Sequence, residues 1–236
     1  MKNAKVFLLF LVAAHISCLS AAKDKKVIHI SDYGILPNTK ENIQPVINRI
    51  LKENKNTGSL DIHFEKGRYD FWPQSILEKS NKPTIAFDLD SLSNVTIDGG
   101  GSDFVFHGRM MPFRLYKTSN VSIRNFSIDW DRPYNSQAKI LAASDTAVDM
   151  EIDRKVYPYE IINDTVYFSG EGWRSKITPE YTNLYDNATK NLIYQTRDKP
   201  MGMALYHAKV TELGENKIRF HFKPAMKPEA GSITVF

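Results

Sequence analysis

Hydrophobic positions in the first third of the chain change period sharply. Ile43, Val46, Ile47, Ile50 and Leu51 form one apolar stripe at helical spacing, which predicts an amphipathic helix. Asn42 can cap it, Pro45 sits in the tolerated first turn, and Asn54 to Gly58 ends it. Leu60, Ile62 and Phe64 then alternate with Asp61, His63 and Glu65, the mark of a half-buried strand, and Gly67 turns the chain into Tyr69 to Phe71. A short strand from Val27 to Ile30 and a turn-rich stretch from Asp32 to Asn38 precede the helix.

Short strands follow at intervals too close for helices between most of them: Thr84 to Asp88, Val95 to Asp98, Phe104 to Phe106, Phe113 to Tyr116, Val121 to Arg124 and Phe126 to Trp130. Within them Ser93-Asn94-Val95-Thr96-Ile97 recurs as Ser119-Asn120-Val121-Ser122-Ile123, 26 residues on. An internal repeat of this length made of short strands predicts coils that stack, because one coil alone cannot bury its inward Val and Ile. Asparagine suits the corners, since it tolerates left-handed backbone angles, and Asn125 sits at such a place. Gly99-Gly100-Gly101 precedes a strand, not a helix, so it reads as a tight turn and not as a phosphate loop.

Beyond Pro133 the pattern changes. Lys139 to Ala142, Ala147 to Ile152, Ile161 to Phe168, Met203 to Val210 and Lys217 to Phe222 predict antiparallel strands, with turns at Asn163-Asp164 and Gly214-Glu215-Asn216, in a small barrel or sandwich. Ser175 to Pro200 is a polar excursion with no clear period.

Composition adds a compartment. Met1 to Ala22 carries Lys2 and Lys5, an apolar stretch from Val6 to Ala14 and small residues at Ser20-Ala21-Ala22, which predicts an export signal. The apolar run is shorter than the roughly 18 residues of a membrane span. Cys18 is the single cysteine; His15-Ile16-Ser17 before it partly resembles a lipid-attachment box, so a lipoprotein is the alternative. Cleavage after Ala22 would leave no cysteine, excluding disulfides and thiolate metal sites. The formal net charge of +4 falls by two with Lys2 and Lys5, which makes no electrostatic case for nucleic acid.

The candidate chemistry is a carboxylate pair. Asp129 and Asp131 flank Trp130, and in an extended strand such residues share a side about 6.5 to 7 Å apart. Inverting glycosidases space their two carboxyl groups by roughly 6.5 to 9.5 Å, so that one acid protonates the leaving oxygen while the other activates water. Trp130 should face the other way, and Arg132 could clamp a hydroxyl or pair with an aspartate. Acidic residues at solvated strand ends are also common, and that reading covers Asp88 and Asp90 as well. The six histidines show no zinc-like spacing, so no metal is expected. Asn94, Asn120, Asn125, Asn163 and Asn187 each begin an Asn-x-Ser/Thr triplet, read mainly as structural corner residues.

Ile30-Ser31-Asp32-Tyr33-Gly34, the helix, and Ile62-His63-Phe64-Glu65-Lys66-Gly67-Arg68-Tyr69 resemble the N-terminal cap of pectate-lyase-like proteins. Val95-Thr96-Ile97-Asp98-Gly99-Gly100-Gly101-Ser102, Phe106-His107-Gly108-Arg109-Met110 and Phe126-Ser127-Ile128-Asp129-Trp130-Asp131-Arg132-Pro133 are similar to bacterial α-1,3-galactosidases of glycoside hydrolase family 110. The resemblance implies a mostly β fold: a right-handed parallel β-helix with one capping helix over 23–133 and an inserted, incomplete antiparallel β-barrel over 134–236. It implies an inverting exo-glycosidase that removes terminal α-1,3-linked galactose from glycans, without a cofactor. Its catalytic aspartates belong to later coils, so Asp129 and Asp131 stay candidates, with Trp130 and Arg132 as substrate-binding candidates. Two alternatives remain. Another β-helix hydrolase or lyase for uronate polymers would need Arg and Lys clusters across coils, which the sequence lacks. A non-catalytic carbohydrate-binding surface protein would use Trp72, Trp130, Trp173, Tyr181 and Tyr185 as a stacking platform.

Overall fold

The computed structural model describes residues 24–73, 84–178 and 182–236. The expected leader with Cys18, and Tyr181, lie outside the described residues. Parallel strands come first. β1 (Lys25–His29) is followed by a 3-10 turn at Ile30–Tyr33, then α1 (Gln44–Glu53), β2 (Ser59–His63) and β3 (Arg68–Phe71). The helix starts one residue inside its apolar stripe. Asn42 caps as expected, its Oδ1 accepting from the Gln44 N–H at 3.0 Å, while Ile47, Ile50 and Leu51 turn inward.

Next come β4 (Thr84–Asp88), β5 (Ser93–Phe106), β6 (Met110–Arg114) and β7 (Ser119–Trp130). The ladder runs β1-β2-β5-β7, β3 pairs with the second half of β5, β4 pairs with β6, and all are parallel. The strands expected separately at Val95–Asp98 and Phe104–Phe106 are one long strand, as are Val121–Arg124 and Phe126–Trp130. Each bends at a corner between its two halves, at Gly99–Gly101 in β5 and at Asn125 in β7, which is why sequence periodicity splits it.

The repeated motif stacks on itself: Ser93 faces Ser119, Val95 faces Val121 and Ile97 faces Ile123. Side chains continue the ladder, with Ser119 Oγ donating to Ser93 Oγ and Asn120 Nδ2 to Asn94 Oδ1, both at 2.8 Å. Asn94, Asn120 and Asn125 hold left-handed φ values of 56°, 52° and 61°, as expected of corner asparagines. The bend differs between the two strands: β5 uses Gly99-Gly100-Gly101 and β7 uses Asn125, so the register shifts between Asp98 and Ser102. At Gly100, φ is +60° and a Cβ would lie 2.3 Å from the Phe64 carbonyl oxygen, so only glycine fits.

Among the described residues every pairing from β8 onward is antiparallel. β8 (Gln137–Ala143), β9 (Ala147–Glu151), β10 (Tyr159–Ile162), β11 (Thr165–Gly170), β12 (Trp173–Lys176), β13 (Asn183–Tyr185), β14 (Lys209–Gly214), β15 (Lys217–His221) and β16 (Ile233–Val235) form two sheets, ordered β13-β16-β8-β9-β15-β14 and β10-β11-β12. Met203–Val210 is not one strand: Met203–His207 is a 3-10 turn, and β14 starts only at Lys209. Leu205 still points inward, so burial alone mimicked a strand there.

Two apolar cores result among the described residues. One runs from Ile28 to Met110 and stacks Phe71 on Phe106, Phe87 on Phe113 and Phe104 on Phe126, at centroid separations of 4.7, 4.9 and 4.4 Å. The other gathers Ile140, Met150, Val166, Phe220 and their neighbours. Each fully buried Phe contributes roughly 1.5–3 kcal/mol of transfer free energy. Among the described residues no helix is long and apolar enough to cross a membrane.

Candidate functional site

The Asp129-Trp130-Asp131-Arg132 segment ends β7 and leads into the antiparallel unit. There the structure brings together residues distant in sequence. Asp70 lies on β3, His107 follows β5, and Glu171 sits at the β11–β12 turn. His107 is 4% exposed; its Nε2 lies 2.8 Å from Asp70 Oδ1 and its Nδ1 2.8 Å from Glu171 Oε1. Each ring nitrogen thus faces a carboxylate. The Trp72 indole covers its face, 3.7 Å away and 8° from parallel. Gly108 lets the hairpin tip come close: its N–H donates to Glu171 Oε2 at 3.1 Å, and a Cβ there would meet the Glu171 carbonyl oxygen at 2.9 Å.

The Asp70 side chain is fully buried and also accepts three bonds from Arg68, at 2.6, 3.0 and 3.1 Å. Burial pushes its carboxyl upward, but the hydrogen bonds from Arg68 and His107 hold it below the usual carboxylate range. Arg68 Nη2 also reaches Asp131 at 3.3 Å, and its guanidinium is held more firmly protonated, mainly by Asp70. Asp70, His107, Glu171, Arg68 and Asp131 therefore form one connected charge network that pins the parallel ladder to the antiparallel unit.

His107, Asp131 and Glu171 offer atoms within 4.8 Å of one another, a grouping invisible in sequence spacing. Both imidazole nitrogens already face carboxylates and Arg68 stands beside Asp131, so the arrangement is an ion-paired clamp.

The expected candidates take the following places. Asp129 is exposed and accepts the Trp130 N–H at 2.8 Å, while Asp131, with its side chain 54% exposed, answers Arg68. Trp130 turns to the ladder core, 5.5 Å from Phe106. Arg132 is buried, and its donors go to the protein itself: the Ser169, Pro133 and Asn135 carbonyls and Ser136 Oγ. Its guanidinium also lies over Tyr157 and Trp173, at 5.4 and 5.0 Å, and burial lowers its pKa. Asp88 and Asp90 pair with Arg114 at the surface, as expected of a solvated corner. Sequence reasoning missed Asp70, His107 and Glu171. The available signals were an aspartate between two aromatic residues, Tyr69 and Phe71, and a His-Gly pair directly after an apolar strand.

Residues 136–234 match the family model for GLAA-B β-barrel domain I. The chain is 34% identical over 218 residues to alpha-1,3-galactosidase B of Bacteroides thetaiotaomicron, covering 89% of this chain and 35% of the relative. It is 34% identical over 213 residues to alpha-1,3-galactosidase B of Phocaeicola vulgatus, covering 80% and 34%. It is 28% identical over 240 residues to alpha-1,3-galactosidase A of Bacteroides fragilis, covering 95% and 37%. The chain thus spans about a third of the length of the curated relatives it matches.

Proposed function

We propose, on the premise that this chain belongs with the α-1,3-galactosidases, that it forms the cap, first coils and one barrel of an exported, inverting exo-galactosidase acting on terminal α-1,3-linked galactose. The observation that carries this reading is the extent of the match: most of the chain aligns with enzymes of that name. In this reading the parallel ladder is the start of a right-handed β-helix, residues 134–236 are a barrel inserted after its coil, and residues 1–22 direct export.

The junction geometry supports a scaffold, not a self-contained catalytic pair. Asp70 is enclosed, Glu171 is taken up by the His107 ring and the Gly108 N–H, Asp131 faces Arg68, and Asp129 is turned to its own backbone. An inverting acid must be free to protonate the glycosidic oxygen while a second carboxylate, across a gap wide enough for water, activates the nucleophile. We assign both roles to carboxylates outside these 236 residues and assign to this chain the holding of the sugar-bearing architecture.

The test is galactose release from a terminal α-1,3-galactosyl trisaccharide, with the anomer followed by NMR and the Bacteroides thetaiotaomicron relative as positive control. The expected result is no release by the folded chain alone. Release of β-galactose that Asp131→Asn abolishes would overturn the assignment and put the reacting pair in this chain.

A further inference from the structure

The antiparallel unit carries a groove that the charge clamp does not use. Strands β13, β16 and β8 place Tyr185 opposite Ile233, and Val235 between Asn183 and Gln137. Leu184, Thr234 and Ala138 on the alternate positions are buried, so Tyr185, Ile233, Val235 and Gln137 lie on the opposite face of this sheet. With Tyr157, Asn135 and Lys190 they line a cavity of about 510 Å³, within the usual range of small-molecule sites.

The walls are held in place before any ligand arrives. The buried Arg132 guanidinium packs over the Tyr157 ring, 5.4 Å from its centroid. The 186–191 loop beside Tyr185 is closed by its own bonds: Asp186 Oδ1 accepts from both the N–H and the Oγ1 of Thr189 at 2.7 Å, and the Lys190 N–H donates to the Asp186 carbonyl at 2.8 Å. Asn187 Oδ1 holds the Lys190 ammonium at 2.8 Å. A preformed wall lowers the ordering cost of binding.

We propose that this groove binds a terminal galactoside, as a non-catalytic subsite on the barrel. The proposal rests on the galactosidase reading above and names a second place where that sugar is held. Galactose has an axial O4, which leaves the hydrogens of C3, C4 and C5 together on one face. That apolar face fits a floor of Ile233 and Val235 flanked by two tyrosines, while the amides of Asn135 and Gln137 supply donors and acceptors for ring hydroxyls. A single lysine is too little positive charge for a phosphate or uronate polymer. Arg132, expected from sequence to touch substrate, is a positioning residue for Tyr157 in this scheme.

The test uses the whole chain, with methyl α-galactoside titrated by saturation-transfer NMR against methyl α-glucoside. Galactoside should bind and glucoside should bind more weakly. Tyr185→Ala should weaken galactoside binding about tenfold, and Gln137→Ala should weaken it less, with melting temperatures of both variants unchanged. Undiminished galactoside binding by both folded variants would overturn the groove while leaving the carbohydrate reading intact. No galactoside binding by the wild-type chain at millimolar concentration would overturn the subsite, whereas the trisaccharide assay separately decides the catalytic reading. Equal binding of glucoside would overturn the galactose preference.

Discussion

Replacing Asp70 by Asn tests the charge clamp where it is most enclosed. The wild-type carboxylate has no exposed side-chain surface and sits between Arg68 and His107, the latter 4% exposed. Asn keeps the shape but removes the charge, leaving the Arg68 guanidinium to face a neutral amide. Removing one partner of a buried pair costs about 3–5 kcal/mol. Arg68, with 32% of its side chain exposed, recovers part of its hydration, so the lower end of that range, about 3 kcal/mol, applies. For a chain of this size each kcal/mol moves the melting temperature by about 2–4 °C, so D70N should melt about 6–12 °C lower at pH 7 by circular dichroism. The pH dependence has a definite sign. Because the folded carboxyl titrates below its unfolded value near 4, its stabilisation is fully present above that value and is lost as pH falls through the lower folded one. The wild-type advantage over D70N should therefore shrink in acid below about pH 4. A variant melting within about 2 °C of wild type at pH 7 would refute the reasoning.

Three further outcomes follow from the packing. Gly100→Ala should cost roughly 3 kcal/mol or more in urea denaturation, since it combines a left-handed φ with a Cβ driven onto the Phe64 carbonyl. Asn120→Ala removes one ladder hydrogen bond and a residue suited to its left-handed angle, and should cost about 2 kcal/mol by the same measurement. Asp131→Asn, which touches a partly exposed pair at 3.3 Å, should change stability by no more than about 1 kcal/mol; a larger loss would mean that Asp131 belongs to the buried part of the clamp.

The parts of the fold legible in sequence are those where local pattern and tertiary burial agree. Helix α1 and strand β2 were readable because each shows one face to the core. The Ser-Asn-Val-Thr/Ser-Ile repeat pointed to stacking because its partners pair directly, 26 residues apart. The short β13 and β16 were not readable, since three residues carry too little alternation, and Met203–His207 imitated a strand because its buried Leu205 gives no helical stripe. At the site, Asp131 was legible as a candidate but its partner was not. Arg68 lies 63 residues away, and Asp70, His107 and Glu171 meet only through the ladder pairing and the approach of one hairpin tip. A network assembled across 37 and 64 residues leaves no spacing to detect.

The unequal bend between β5 and β7 behaves as a slip joint. Before the corner, facing residues differ by 26 in number; after it, Asp103 and Ser127 face each other at a difference of 24. The two stretches of the strand pair are thus keyed independently, and the corner absorbs the mismatch. Length changes during evolution or engineering can be taken up there without shifting a single stacked phenylalanine or asparagine on either side, so the corner is the place where such a coil can lose or gain residues while its rows stay in step.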